Sequence, residues 1–503
     1  MGKSYDALKT RLGEIQSIGQ AGAVLGWDQR VYMPPKGAEA RARQSSILAK
    51  LGHEMFVSPV TRDLLAAAEG EKAEFAEDSD ELAMLRVARR DFDKSTKVPT
   101  SLIVEMTEVC TLGEEVWTKA RRDNDYKTFA PWLDRILGLK RQYAKAIGYQ
   151  KRMYDALLDD FEEGMTADLL DPLFESLKSV TIPLVAAIVA RAGRVDDDFL
   201  GQECEERLQE EFGRRVLKEC GYDFARGRLD RAAHPFCTHF SINDVRITTR
   251  YNRTWMTESL FGCLHEMGHA FYEMNGKPEY EGTVLSGGVS LGVHESQSRL
   301  WENLVGRSRV FWEHYYPELQ KVFAQQFRRI ELEAFYRAIN RVTPSLIRTE
   351  ADEVTYNLHI ILRYEMENEL LEGKLSVADA PAAWNAKMKG YLGIVPPNDA
   401  DGILQDIHWS GGGIGYFPTY TLGNILGVQW MEKAREALPS LDQELRAGKF
   451  TGLYEWLRKN IHQHGRKYPP GELVRRVTGR PLTIEPYVNY LRKKFGEIYG
   501  VTA

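Results

Sequence analysis

The segment of residues 254–276 constrains the fold of this chain most, because it combines helical periodicity with a metal-ligand spacing. Its apolar residues at helical spacing are Leu260, Leu264 and Phe271. This spacing predicts an α-helix with one buried face. We expect Thr254 or Thr257 to cap the start of the helix and Gly276 to end it.

Two histidines on the predicted helix have the spacing of metal ligands. His265 and His269 are four residues apart, so both imidazoles reach the same side of the helix. They would fill two corners of a tetrahedral zinc site, and one more protein ligand would leave the fourth corner open to water. Glu266 is turned by about 100° from His265, so it is free to act as a general base. A chance match is the alternative, expected about once in a hundred chains of this length.

A third ligand is expected from a second helical pattern in residues 292–303. Glu295 lies 26 residues after His269 and shares a helical face with Arg299 and Glu302. A carboxylate from a second helix is the usual third ligand of a catalytic zinc site. His294 is the rival ligand, but neighbouring helix positions point about 100° apart. We therefore expect Glu295 to face the metal.

Length and charge narrow the class of protein. The chain has 503 residues, which allows a large core and two lobes. The net charge of −6 is spread without long runs of one sign, which gives no indication of nucleic-acid or membrane-surface binding. A peptide or small-molecule substrate fits this composition better. No lobe boundary can be drawn from the sequence, although residues 191–202 are the best candidate for a flexible crossing.

Cysteine usage and the N-terminus predict a cytoplasmic protein. The cysteines are Cys110, Cys204, Cys220, Cys237 and Cys263. Their odd number and the lack of a CxxC pair predict reduced, mostly buried thiols, with Cys263 in the core. The N-terminus lacks an apolar secretory segment. The longest apolar stretch, residues 180–190, contains Pro183 and is too short to cross a bilayer.

Helical periodicity dominates the first part of the chain. From Tyr5 to about Ala192, apolar residues recur mostly at intervals of three and four. We expect breaks at residues 33–37, 98–99 and 130–131, where proline and glycine occur.

One region alternates with a period of two. Residues 236–251 show this pattern on both sides of a predicted turn at Asn243 and Asp244. A small β-hairpin is therefore expected just before the metal helix. Its edge could hold an extended peptide by backbone hydrogen bonds; the alternative is a purely structural flap.

Several further motifs occur in one order along the chain. They are Trp27-Asp28-Gln29, the segment 33–41, His234-Pro235-Phe236, Asp244-x-Arg246-x-Thr248, His294-Glu295-Ser296-Gln297, Ile347-Arg348-x-x-Ala351-Asp352 and Gly402-x-x-Gln405-Asp406-x-His408-Trp409. Together with the histidine motif they resemble the signatures of the M32 metallocarboxypeptidases, the carboxypeptidase Taq family. The resemblance runs from about residue 24 to 423. Lys36 stands where a small residue is expected.

The resemblance implies a fold, an activity and a set of site residues. The fold would be all-α, with a small β ribbon beside the active site and two lobes around a deep groove, similar to neurolysin and angiotensin-converting enzyme. The family commonly forms homodimers and removes single residues from peptide C-termini with zinc or cobalt. By matching motif, His265, His269 and Glu295 would bind the metal, and Glu266 would be the catalytic base.

Two arginines are candidates for binding the terminal carboxylate of a peptide, because a guanidinium fork can donate two parallel hydrogen bonds. Arg348 follows a predicted helix start at Thr343 and Pro344 and would share a helical face with Asp352. A plain surface ion pair with Asp352 is the alternative, but the resemblance favours the carboxylate anchor. Arg246, on the predicted hairpin, is the second candidate, either as co-anchor or as a block that closes the groove.

The last group of candidates surrounds a glycine-rich segment. His408 and Tyr420 could donate hydrogen bonds to the oxyanion of a tetrahedral intermediate, where one donor can contribute about 3 kcal/mol. Tyr416 is a candidate substrate-binding residue. The glycines of residues 411–415 would let the segment move over substrate; the alternative is a glycine-rich turn with core aromatics. We expect Trp301 and Trp409 to be core residues.

The sequence therefore predicts a metal-dependent carboxypeptidase that acts on peptides with a free C-terminus. A metalloendopeptidase or a dipeptidyl carboxypeptidase is the nearest alternative, because the same metal apparatus serves all three. A non-catalytic binding protein with a structural metal is the more distant alternative. A closed structural site would favour four Cys or His ligands and would not require Glu266.

Overall fold

Apolar residues spaced three and four apart make most of the chain helical in the computed structural model, which describes residues 2–501. In this range the α-helices are α1 (Lys3–Val31), α2 (Ala38–Phe56), α3 (Pro59–Gly70), α4 (Asp80–Lys97), α5 (Thr100–Asp123), α6 (Tyr126–Ile147), α7 (Met153–Leu158), α8 (Ala167–Val189), α9 (Glu206–Cys220), α10 (Met256–Met274), α11 (Leu291–Arg299), α12 (Arg309–Val322), α13 (Ala324–Phe327), α14 (Leu332–Ala338), α15 (Tyr356–Leu371), α16 (Ala380–Leu392), α17 (Pro418–Ala437), α18 (Leu441–Arg446), α19 (Thr451–Asn460), α20 (Pro470–Thr478) and α21 (Glu485–Tyr499). The expected mainly helical fold is confirmed.

A three-stranded sheet precedes the metal helix. Its strands are β1 (Gly227–Arg231), β2 (Cys237–Ser241) and β3 (Asp244–Thr249). Strands β2 and β3 form the expected antiparallel hairpin, and β1 adds to the other side of β3 in parallel. Alternate residues Val245 and Ile247 of β3 are fully buried, which explains the period of two. Strand β1 was not expected, because its polar sequence shows no alternation.

The chain forms two compact units, each built from three separate segments. Unit 1 comprises Met1–Thr96, Asp197–Ile339 and Gln429–Pro481. Unit 2 comprises Lys97–Asp196, Asn340–Val428 and Leu482–Ala503. The chain passes from unit 2 to unit 1 after Asp196, within the segment expected to be a crossing. Because each unit draws on distant parts of the chain, no single stretch of sequence marks its boundary. The groove between lobes stays a prediction.

The expected helix breaks are confirmed at two of three places. Residues 33–37 separate α1 from α2, and residues 98–99 separate α4 from α5. The break at Pro131 is wrong, because α6 continues through this proline. Proline costs α6 one backbone donor, and the buried face of this 22-residue helix holds it together.

Each unit has its own apolar core. In unit 1 one cluster joins α1, α3 and α4 with Tyr280 and Leu285. In unit 2 a cluster joins α5 and α6 through Val109, Ile136 and Leu139. The predicted core residues Cys263, Trp301 and Trp409 are all buried, and all five cysteines are free.

One described helix, α8, meets the length and composition criteria of a membrane span, with a mean hydropathy of 1.5 over its most apolar window. The prediction from residues 180–190 alone therefore underestimated the length of the apolar helix. The criterion by itself is weak evidence, because core helices of soluble proteins also meet it. Part of the apolar surface of α8 packs within unit 2, where Phe174 contacts Tyr364 edge-to-face with 5.0 Å between the ring centroids.

Candidate active site

The metal helix α10 is buried on most of its circumference. It begins at Met256, after Trp255, and no side chain caps its first turn. The expected cap by Thr254 or Thr257 is wrong: Thr254 precedes the helix and hydrogen-bonds to Asn252, while Thr257 lies inside the first turn. Tertiary packing stabilises this helix, so a capped start is not required.

Three side chains of unit 1 converge as the sequence predicted. The Nε2 atoms of His265 and His269 lie 3.7 Å and 3.4 Å from the same oxygen, Oε2 of Glu295. Ligands about 2.05 Å from a tetrahedral metal lie roughly 3.3 Å from one another. The three donor atoms therefore have the spacing of one face of such a site. Among residues 2–501 this is the one group of three His, Cys, Asp or Glu side chains with metal-ligand proximity.

A carboxylate behind the first histidine orients its ring. Nδ1 of His265 lies 2.9 Å from Glu302, whose carboxylate can only accept, so Nδ1 donates and Nε2 is the nitrogen that faces Glu295. Arg299 donates to both Glu295 and Glu302, at 2.7 Å and 3.1 Å. Burial would raise the pKa of Glu302, but Arg299 and His265 outweigh it and lower that pKa to about 2. Glu302 is therefore ionised and fixes the ligand pair.

The second histidine is held by the rival ligand. Nδ1 of His294 lies 2.6 Å from Nδ1 of His269, and Nε2 of His294 lies 2.7 Å from Glu273. His294 thus contacts the Nδ1 atom of His269, while Glu295 faces the Nε2 atoms of both His265 and His269. The choice of Glu295 over His294 agrees with this geometry. Burial lowers the pKa of His269 to about 4, which keeps its imidazole neutral, as a metal ligand must be.

A glycine lets the two ligand-bearing helices meet. A Cβ atom on Gly268 of α10 would lie 2.4 Å from the carbonyl oxygen of Gln297 and 2.6 Å from Cα of Ser298 on α11. No real side chain tolerates such contacts. The absence of a side chain at position 268 therefore brings Glu295 within reach of the two histidines.

Glu266 is buried beside the donor group and has no hydrogen-bond partner among the described residues. Its side chain is 6% exposed. Burial raises its pKa to about 7, with the nearby Glu295 and Glu302 charges acting in the same direction and His265 against them. A buried carboxylate without a hydrogen-bond partner lowers the stability of the folded protein. The position of Glu266 therefore indicates a role other than stabilising the fold.

The sheet of unit 1 carries the first candidate arginine. Arg246 on β3 donates to both oxygens of Asp244, at 2.7 Å and 2.8 Å. Its guanidinium lies 4.2 Å from the ring centroid of Trp27 and 4.9 Å from that of Phe240. The orientation of Arg246 is thus fixed from three sides.

The second candidate arginine, in unit 2, does not lie on the expected helix. Arg348 begins a single 3₁₀ turn, Arg348–Glu350, and its partner is Asp406 rather than Asp352. Its Nε and Nη2 donate to Asp406, and its Nη1 donates to Tyr356 at 2.8 Å. An arginine has five N–H groups. After these contacts, one N–H on Nη1 and one N–H on Nη2 have no acceptor among the described residues.

The side chain of Asp352 accepts hydrogen bonds from the backbone instead of pairing with Arg348. Its carboxylate accepts from the backbone N–H groups of Thr343, Val354 and Thr355 and from the hydroxyl of Thr355. The expected helical face shared with Arg348 is therefore wrong, and so is the alternative of a surface ion pair between the two residues. The physical reason is that residues 343–355 contain no α-helix, only irregular chain with one 3₁₀ turn and a final turn, so a four-residue separation does not place two side chains on one face.

Asp406 forms ion pairs with two buried arginines. Burial alone would raise the pKa of its carboxyl, but the Arg363 and Arg348 guanidiniums hold that pKa well below its usual range. Arg363 is fully buried and lies 4.6 Å from the ring centroid of Trp384. Sequence reasoning placed Asp406 in a motif but gave it no role, and it missed Arg363.

The glycine-rich segment of unit 2 brings its three candidates together. Nε2 of His408 lies 3.4 Å from the hydroxyl of Tyr420, and the ring centroids of Tyr416 and Tyr420 are 5.3 Å apart. The guanidinium of Arg348 lies 5.0 Å from the Tyr420 centroid. Burial lowers the pKa of His408 to about 4, so its imidazole is neutral near pH 7.

The glycines of this segment have structural reasons. Gly412 and Gly415 have φ angles of 75° and 91°, where glycine is favoured. A Cβ on Gly415 would lie 2.8 Å from the carbonyl carbon of Leu157 in α7. Ile414 and Phe417 are buried. These contacts give the glycines a packing role, which is the alternative to a moving segment.

Sequence reasoning also missed two buried glutamates. Glu273 bonds to His294 on the metal side of unit 1, and Glu367 bonds to the glycine-rich segment in unit 2. Glu273 lies four residues after His269, so its helical face could have been deduced from the spacing. Nothing in the sequence around Glu367 marks it, because its partners come from distant segments.

Comparison with known proteins gives a single family. A family model for the carboxypeptidase Taq (M32) metallopeptidases matches residues 7–495. Thermostable carboxypeptidase 1 of Thermus thermophilus is 42% identical over 506 residues, covering 99% of each chain. Carboxypeptidase 1 of Bacillus subtilis is 39% identical over 495 residues, covering 98% of each chain.

A solved structure agrees with these matches. The M32 carboxypeptidase of Deinococcus radiodurans superposes with a TM-score of 0.96 at 43% identity, covering 99% of this chain and 100% of the other. The fold and the comparisons define a metallocarboxypeptidase, a metal-dependent enzyme that acts on peptides. The chain belongs to the carboxypeptidase Taq (M32) family.

Proposed function

We propose that this enzyme releases single amino acids from peptide C-termini, with Glu266 as the general base of the hydrolysis. The observation that carries this proposal is the carboxylate of Glu266, which is buried within the electrostatic reach of His265 and Glu295 yet has no hydrogen-bond partner among residues 2–501. A general base must reach the proton that it takes. Glu266 would take a proton from the attacking water and pass it to the amine that leaves.

His265, His269 and Glu295 would hold one divalent metal. Two neutral imidazoles and one carboxylate are a typical zinc donor set, and they leave a coordination position open. We propose zinc, with cobalt as the alternative. When bound, the metal would supply Lewis-acid chemistry at the scissile carbonyl and lower the pKa of water. Glu302 and His294 would keep the two imidazoles in the required orientation.

Arg348 is proposed to bind the terminal carboxylate of the peptide. The N–H groups left on its two Nη atoms form a fork of the kind that a carboxylate accepts. Asp406 and Tyr356 hold the guanidinium, so little ordering would be needed on binding. Arg246 is proposed as a co-anchor or as a block against longer C-terminal extensions, and Tyr416 as a contact to substrate.

His408 and Tyr420 are proposed to stabilise the oxyanion. A neutral imidazole still carries one N–H. The Tyr420 hydroxyl lies 3.4 Å from Nε2 of His408. Donors of this kind are already ordered before the reaction, so no reorganisation is needed as charge develops.

The direct test offers one N-blocked peptide with a free or an amidated C-terminus to metal-stripped enzyme restored with zinc or cobalt. Mass spectrometry of the products should show stepwise loss of single residues from the free acid only, and only with metal. Equal cleavage of both forms would indicate an endopeptidase, and release of dipeptides a dipeptidyl carboxypeptidase. Bound metal without cleavage would indicate a binding protein.

A homodimer and a cytoplasmic location are further proposals. The first is supported by the family resemblance, and sedimentation equilibrium of the purified protein would test it: a mass near twice 57.4 kDa is expected. The second is supported by five cysteines without a disulfide. Cell fractionation with an antibody to the protein would test the location.

A further inference from the structure

Glu367 is a fully buried carboxylate in unit 2 that accepts three hydrogen bonds, and none of its hydrogen-bond partners among residues 2–501 is a cation. It lies on α15. The hydroxyl of Tyr154 donates to it at 2.7 Å, the indole Nε1 of Trp409 at 2.8 Å, and the backbone N–H of Gly415 at 3.1 Å. A charge buried in this way must be compensated by donors, and here neutral donors do so.

Two of these donors belong to one short segment, residues 408–417. Trp409 directly follows His408, and Gly415 directly precedes Tyr416. One carboxylate therefore holds both ends of the segment that carries two proposed site residues. The third donor, Tyr154, lies on α7, the helix against which Gly415 packs.

We propose that Glu367 is a positioning residue that anchors the segment 408–417 and thereby fixes His408 and Tyr416 for peptide hydrolysis. This inference rests on the proposed function, which gives these two residues their roles. Glu367 itself does not touch the reacting atoms; it acts through the segment.

The geometry requires an acceptor on each of the two carboxyl oxygens, because the two ends of the segment donate to different oxygens of Glu367. Oε1 faces the indole donor, and Oε2 faces both the Tyr154 hydroxyl and the Gly415 amide. A glutamine at position 367 would turn its own NH₂ group toward Trp409 or toward Gly415. Either orientation loses one end of the segment. Burial raises the pKa of Glu367 to about 7 even though all three donors act to lower it.

Hydrogen exchange tests the anchoring directly and does not depend on activity. Amides of residues 409–417 should exchange at least tenfold faster in Glu367→Gln than in the wild type. Glu365→Gln is the matched control, because Glu365 lies on the same helix and bonds to Lys178 and Lys387 instead. The control should leave exchange of residues 409–417 unchanged. Unchanged exchange in Glu367→Gln, or an equal rise in Glu365→Gln, would overturn the anchoring role.

Kinetics on the metal-loaded enzyme test whether the anchor acts through His408. With a free-acid peptide, Glu367→Gln should lower kcat about tenfold in the wild-type background and less than twofold when His408→Ala is already present. A general loss of stability would instead lower activity by the same factor in both backgrounds, and that result would overturn the proposal. Metal content should be unchanged throughout.

Two milder variants keep the test decisive if Glu367→Gln does not fold. Tyr154→Phe removes the hydroxyl donor and keeps the ring, and Trp409→Phe removes the indole N–H and replaces the indole with a smaller aromatic ring. Each should accelerate exchange of residues 409–417, with the larger effect for Trp409→Phe; no acceleration in either would contradict the proposal. A wild-type enzyme that releases no amino acid would overturn the proposed function, and the exchange data would still decide whether Glu367 anchors the segment.

Discussion

At the scale of single residues, the candidate metal centre consists of pairs in which one group is proposed to bind the metal and another group orients the first. His265 is oriented by Glu302, and His269 by His294. Glu266 departs from this pattern because it has no such partner among the described residues. This difference separates the residue proposed for chemistry from those proposed for binding.

Glu266→Gln should reduce kcat by about 10²–10⁴-fold while metal stoichiometry stays near one per chain. The amide keeps the volume of the side chain but cannot accept the proton of water. Metal analysis of the purified variant, together with single-residue release from a peptide, checks this. Loss of metal along with activity would show that Glu266 is a ligand.

Glu302→Gln should weaken metal binding about tenfold, because groups that orient ligands typically contribute 10–100-fold in affinity. Competition with a chelator measures this affinity without reference to activity. Glu318→Gln, at a half-exposed position on α12 that pairs with Arg215 and Lys321, is the control and should bind metal normally. Equal affinities of Glu302→Gln and wild type would remove Glu302 from this role.

At the scale of elements, the site depends on how closely α10 and α11 approach. Gly268 permits the contact with the backbone of residues 297 and 298. After α11 the chain continues as a π-helix, Leu300–Gly306, that carries Glu302. Such bulges are often found at functional sites, and this one places Glu302 behind His265.

Gly268→Ala should destabilise the protein by about 1–3 kcal/mol or more, because its methyl group would overlap the backbone of α11, and it should also weaken metal binding by displacing Glu295. Gly262→Ala is the control on the same helix. There the nearest atom to an added Cβ is 3.7 Å away, so the better helix propensity of alanine should leave stability equal or up to about 1 kcal/mol higher. Denaturant unfolding of both apoproteins measures the difference; equal stabilities would contradict the close-contact argument.

At the scale of the whole molecule, pH dependence of stability should reflect the buried ion cluster of unit 2. Asp406 has a folded-state pKa well below its ordinary value of 3.8, because Arg363 and Arg348 outweigh the effect of burial. A lowered pKa means that the stabilisation is fully present above about pH 4 and is lost as the pH falls further.

Asp406→Asn should therefore lose about 3–5 kcal/mol of unfolding free energy at pH 7, since removing one partner leaves buried charge uncompensated. The deficit should shrink below pH 4, because the unfolded wild-type chain then takes up a proton at Asp406 that the folded protein does not bind. Urea unfolding at pH 7 and pH 3 checks both statements. A deficit that is equal at the two pH values would show that charge is not its source.

The sequence by itself determined the mainly helical class, the β2–β3 hairpin and the donor pattern of the candidate metal site. Periodicities of 3.6 and 2 indicated the helical class and the hairpin, and local spacing placed His265, His269 and Glu266 on one helix. These inferences succeeded because helix geometry relates neighbours in sequence directly to neighbours in space.

Only the tertiary structure decided the contacts between distant segments. Spacing suggested Asp352 as the partner of Arg348, but the chain forms turns there and Asp406, 58 residues on, takes that place. Glu367 likewise gained its role from residues that come from α7 and from the segment 408–417. Long-range packing brings together side chains whose separation in sequence carries no information about distance, and this is why the anchors were found in the structure while the metal motif was already evident in the chain.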